Sequence, residues 1–95
     1  MTIVTLERSK RKYYIHARGH ATGSPECCAA VSCLLYTLAG WLKNSRCKVE
    51  DASLDDAHAF FCWHGRKAGT AFEMMAVGFL QLEKTCPEHI CVRLV

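Results

Sequence analysis

The sequence predicts a small mixed α/β domain with its elements in the order ββαββαβ. Three observations carry that prediction. Runs rich in β-branched and aromatic residues lie at 2–7 and 13–18, and 46–51 and 58–64 read as a second strand pair. Two segments of helical periodicity each open with start chemistry, and a short apolar run, 89–95, closes the chain. No repeat and no Pro- or Ser-rich linker divides the 95 residues, so 1–95 is read as a single domain.

The elements follow in order. Residues 2–7 (TIVTLE) and 13–18 (YYIHAR) form a hairpin, and 19–24 (GHATGS) is a loop with two glycines. Ser24-Pro25-Glu26 opens the first helix: Ser24 suits the N-cap, Pro25 the first helical position and Glu26 the positive dipole end. That helix runs to about Lys43, with Asn44 as its stop. Residues 46–51 and 58–64 form a second strand pair around a Ser53–Asp56 turn. Thr70 to Glu73 reads as a capping box that opens a helix to about Lys84. Phe72, Met75, Ala76, Phe79 and Leu80 make its apolar face, and Pro87 stops it. The first helix has no continuous polar side. Its outer face therefore calls for a cover, most simply a second copy of the chain, and a homodimer is expected.

Composition narrows the class. An apolar fraction of 51% with six Gly and two Pro excludes a disordered or collagen-like chain. No stretch reaches ~18 uninterrupted apolar residues. The basic residues near the N-terminus follow its apolar ones, the reverse of a signal peptide, so a soluble cytoplasmic domain with no membrane contact is expected. Twelve Lys+Arg against nine Asp+Glu is too mild a balance to argue direct nucleic-acid binding. Arg8, Lys10, Arg11 and Lys12 read as a solvated hairpin turn, the alternative being a weak contact to an RNA-bound substrate. Seven cysteines, an odd number with no secretion signal, are expected as reduced thiols packed like small hydrophobes.

The stretch that carries chemistry is GHATGSPECCAAVSCLL, residues 19–35. It places His20 on a glycine-flanked loop and a cysteine pair in the first turn of a helix. Unpaired backbone N–H groups and the dipole there favour a thiolate, and a nearby imidazole takes the proton. The same N–H groups are candidate oxyanion donors. Adjacent helical residues point about 100° apart, so only one cysteine of the pair faces the histidine. Two other groups carry metal-type side chains: His58, Cys62 and His64 on one strand face, and Cys86, His89 and Cys91 near the C-terminus. Zinc takes about four such ligands, and neither group contains a C-x-x-C pair, so neither metal nor cofactor is expected. His16 reads as a sheet-face histidine. Residues 50, 51, 55 and 56 form an acidic turn in which an orienting partner for His20 is sought but not singled out.

Gly19-His20-Ala21 followed by Cys28-Ala29-Ala30-Val31-Ser32 resembles the signature of the ribosomal-processing cysteine protease Prp family, a GHA loop before a CAAVS helix start. The resemblance covers nearly the whole chain and is most specific over 19–35. It implies a homodimeric endopeptidase of bacterial cytosol. Such an enzyme removes an N-terminal extension from a large-subunit ribosomal protein, and phage relatives of the system act on capsid or scaffold precursors. It maps the catalytic cysteine onto Cys28 and the catalytic histidine onto His20, with Gly19 and Ser32 in support and Cys27 as packing. Two departures stand out. The loop 21–27 is several residues shorter than in typical members. The aspartate of their D-I-V-C run is replaced by Pro25, with Glu26 one residue later as the candidate substitute acid. The rival expectation is a non-catalytic dimeric module of the same fold that binds ribosomal or capsid proteins.

Overall fold

A computed structural model describes residues 1–20 and 23–95; Ala21, the third residue of the GHA motif, and Thr22 lie outside the described residues. The strands are β1 (Thr2–Ser9), β2 (Lys12–Arg18), β3 (Lys48–Asp55), β4 (His58–His64) and β5 (Ile90–Leu94). The helices are α1 (Pro25–Asn44), between β2 and β3, and α2 (Ala68–Thr85), between β4 and β5. The order is the expected ββαββαβ. One five-stranded sheet runs β3-β4-β2-β1-β5, with β5 parallel to β1 and the other neighbours antiparallel. It follows that α1 joins two parallel strands, β2 and β3, and α2 joins β4 and β5. Parallel strands require such crossovers, and the helices supply the cover for the sheet's apolar face.

Period-two alternation decides which side chains enter the core. Val4 and Leu6, Ile15 and Ala17, and Ala59, Phe61 and Trp63 point inward and are buried. They pack in one cluster with Val31, Leu35, Leu38 and Leu42 of α1 and Phe72, Met75 and Phe79 of α2. By length and composition α1 passes as a membrane-crossing helix, yet this face of it lies in the core. The opposite sheet face carries the polar partners: Lys12 Nζ donates to Glu50 Oε2 at 2.9 Å, and His64 Nε2 lies 3.4 Å from Glu50 Oε1.

Several boundaries differ from the sequence reading. The second hairpin turns at Asp56-Ala57, not across Ser53–Asp56, because Leu54 pairs with Ala59 and packs on the core, drawing β3 out to Asp55. At its start, Ser45 Oγ accepts from the Cys47 N–H at 3.1 Å, which holds 46–47 outside the strand. Helix α2 begins two residues before the expected cap. Lys67, at φ 64, takes the cap position without a side-chain bond. Trp63 Nε1 donates to the Ala68 carbonyl at 3.2 Å, so packing of the first turn on Trp63 outweighs the Thr70–Glu73 signal, and both of those residues are exposed. Leu80, assigned to the apolar face, is 40% exposed.

The basic cluster forms the β1–β2 turn, as expected. Lys10 and Arg11 are its two central residues and both hold positive φ, at 53° and 67°. That backbone suits Asn-Gly far better than two long side chains. Lys10→Asn with Arg11→Gly is expected to raise stability by about 1 kcal/mol, read as a higher urea midpoint with an unchanged slope.

The two metal-type groups do not form. Cys62 Sγ approaches Glu50 Oε2 at 3.9 Å, while His58 turns to His16, with Nε2 to Nε2 at 2.8 Å. Cys86 is bonded to Cys27. Among the described residues no three His, Cys, Asp or Glu side chains gather as a metal site. Burial, then the His58 ring and Arg18, holds His16 below the ordinary 6.5. The unfolded chain therefore binds the proton more readily. Stability is complete above pH 6.5 and falls as pH drops through that value towards the folded one. The melting temperature should fall between about pH 7.5 and about pH 5, and by less in His16→Gln.

Candidate active site

Cys28 is placed by the start of α1. Ser24 is the N-cap: its Oγ accepts from the Cys27 N–H at 3.3 Å, and its carbonyl accepts from the Cys28 N–H at 3.1 Å. Pro25 follows at the first helical position, as its fixed φ favours. These bonds correct one expectation. Pro25 has no N–H, and the amides of Cys27 and Cys28 are already engaged. Glu26 is left as the first-turn amide without a partner among the described residues. The amides of Cys27 and Cys28 are therefore not free to serve as donors to a ligand.

His20 is placed by Gly19. Gly19 has φ +88, and a methyl group there would collide with the Met1 carbonyl oxygen. Only glycine meets both conditions. Its N–H donates to the Ala57 carbonyl at 2.9 Å, and its own carbonyl accepts from Thr2 Oγ1 at 3.3 Å. Thr2 is buried. The loop is thus pinned at one residue to both the first strand and the β3–β4 turn, and His20 projects from that point.

Both side chains line one cleft of about 240 Å³. Gly19, His20, Cys28 and Ser32 all border it, so four of the five site residues expected from sequence are brought together. The fifth, Glu26, is exposed and is not among the residues bordering the cleft. Cys28 is half-buried. Ser32 follows it by one helical turn and Tyr36 by two, on the same face of α1. Val31, Leu35 and Leu54 make an apolar floor, and Asp55, Asp56 and His58 form a polar rim. Asp56 Oδ1 lies 3.9 Å from His20 Nε2, which selects it from the four acidic candidates. Both of these side chains face solvent, at 97% and 47% exposure. Thr2 and Tyr36 had no local signal; only the register of β1 and the face of α1 bring them here.

Cys27 departs from the sequence reading. It is buried as expected, but it is not a free packing thiol: it forms a disulfide with Cys86, 59 residues away. The other five cysteines are free thiols, and only Cys28 among them borders the cleft.

The fold and the cleft define a compact α/β domain in which a helix-start cysteine and a loop histidine share one groove with an acidic rim. That fold is the fold of the ribosomal processing protease Prp. Over 100% of both chains, the structure of essential Prp from S. aureus with a covalently linked product peptide matches at TM-score 0.86 and 19% identity. The same protein with a substrate peptide matches at TM-score 0.76 and 18% identity, again over 100% of both chains. SMU.848 from Streptococcus mutans matches at TM-score 0.76 and 25% identity, over 100% of this chain and 94% of its own. No family model matches the sequence, and no curated protein does.

Proposed function

We propose that this chain is a cysteine endopeptidase in which Cys28 attacks as a thiolate and His20 carries the proton. The observation that carries the reading is the shared cleft: a cysteine in the first turn of α1 and a histidine pinned by Gly19 border the same groove. The thiolate adds to the scissile carbonyl. His20 then delivers its proton to the leaving amine, and water attacks the acyl-enzyme with His20 as base. Ser32, which borders the cleft, is the proposed oxyanion donor. The proposed substrate, taken from the resemblance over residues 19–35, is an extended segment of a precursor, either a bacterial large-subunit ribosomal protein with an N-terminal extension or a phage capsid or scaffold precursor. The site of action is the cytoplasm.

A homodimer belongs to the same proposal. The outer face of α2 leaves Met74 66% exposed and Val77 55% exposed, apolar side chains that a second copy would cover.

The test is intact-mass analysis after incubation with each candidate precursor, with Cys28→Ala in parallel and native mass read on the same samples. One internal cut, absent in the variant, supports the reading. No cut, together with slow alkylation of Cys28, assigns the chain to the binding-module alternative.

Asp56 is proposed to orient the His20 ring. Because the pair is exposed, Asp56→Asn should lower kcat by only about 2–5-fold, with KM unchanged. Added salt screens an exposed pair. Wild-type kcat should fall as salt rises, and the variant's should not.

A further inference from the structure

We propose that the Cys27–Cys86 disulfide is a redox latch on the proposed active site, closed by oxidation and opened by a low-molecular-weight thiol/disulfide couple. The inference rests on the reading of Cys28 and His20 as the reactive pair.

The bond joins the first turn of α1 to the residue that ends α2. Cys27 is the immediate neighbour of Cys28, so whatever fixes Cys27 fixes the turn that carries the thiol. From Cys86 the connection continues by hydrogen bonds. Its carbonyl accepts from the N–H groups of His89 and Ile90, both at 3.0 Å. The His89 carbonyl accepts from the Thr2 N–H at 2.8 Å. Thr2 Oγ1 donates to the Gly19 carbonyl at 3.3 Å, and Gly19 precedes His20. One short circuit of a covalent bond and three hydrogen-bonded steps thus runs from the cysteine turn to the histidine loop. Opening the disulfide breaks this circuit at its covalent link.

The chemistry balances with one named partner. The Cys27 and Cys86 thiols lose two protons and two electrons, and one low-molecular-weight disulfide takes them up to become two thiols. The reverse exchange opens the latch. A chain proposed to work in the cytoplasm meets a pool of such thiols, where disulfides that do form are generally transient and redox-sensing. Closing the latch pre-organises the pair. Opening it lets the first turn of α1 move relative to His20, and a shift of about 1 Å in such a site costs up to about 100-fold in rate.

The experiment equilibrates the full chain in graded ratios of reduced to oxidised glutathione. Site-resolved mass spectrometry then reads the Cys27–Cys86 bond and the rate of Cys28 alkylation by iodoacetamide in each sample. Cys28 is expected to react on the order of tenfold faster when the bond is closed. Cys86→Ala and Cys27→Val should stay at the slow rate in every ratio. A Cys28 rate that does not follow the bond overturns the latch, as does a bond that never forms or never opens across the series. The wild-type series decides the matter even where a variant fails to fold. Peptide cleavage is measured separately. If no precursor is cut while Cys28 still tracks the bond, the protease reading fails and the latch stands as a control on the thiol.

Discussion

Cys28→Ser is expected to abolish precursor cleavage, by on the order of 10⁴-fold or more in kcat/KM. A serine keeps the size of the nucleophile but is not ionised near neutral pH, and the dipole of α1 favours an anion only where the group can become one. His20→Ala should cost less, about 10²–10⁴-fold, the usual contribution of a general acid–base group. The control is Cys33→Ser. Cys33 lies on the exposed face of the same helix and does not border the cleft, so its removal should leave cleavage within about twofold. Progress curves from the three variants under one set of conditions check the series. Equal losses in Cys28→Ser and Cys33→Ser would overturn the assignment of the nucleophile.

The second large effect is predicted at a residue that has no side chain. Gly19→Ala forces a side chain into positive φ, at about 1–3 kcal/mol, and drives it into the Met1 carbonyl. Relief requires the Gly19 bonds to Ala57 and Thr2 to stretch or break, and His20 moves with them. The melting temperature should drop by roughly 5–20 °C. Cleavage should fall further than the unfolded fraction explains, when assayed well below the new melting point. A Gly19→Ala variant with normal cleavage and normal stability would contradict the placement of the histidine loop.

Local chemistry in the sequence was enough for the order of the elements, and the resemblance over residues 19–35 singled out candidates for the site. Ser24-Pro25 start α1 as their side chains dictate, and the alternation of Ala59, Phe61 and Trp63 with Phe60, Cys62 and His64 marks the two faces of β4. Gly19, His20, Cys28 and Ser32, the residues of that resemblance, all border one cleft. The capping signal at Thr70 misled for the opposite reason. A cap contributes about 1 kcal/mol, and burial of the preceding turn beneath Trp63 outweighs it.

Taken alone, the sequence determined the order ββαββαβ, the two faces of β4, and the placing of a histidine on a loop and a cysteine at a helix start. Those properties depend on residues within a few positions of one another. Tertiary structure decided which of four acids reaches His20, that Thr2 anchors the loop, and that Glu26 stays outside the cleft. It also decided that Cys27 bonds to Cys86 rather than packing as a thiol. These are contacts between distant segments, set by sheet order and helix crossing. No periodicity or spacing along the chain encodes a contact across 59 residues.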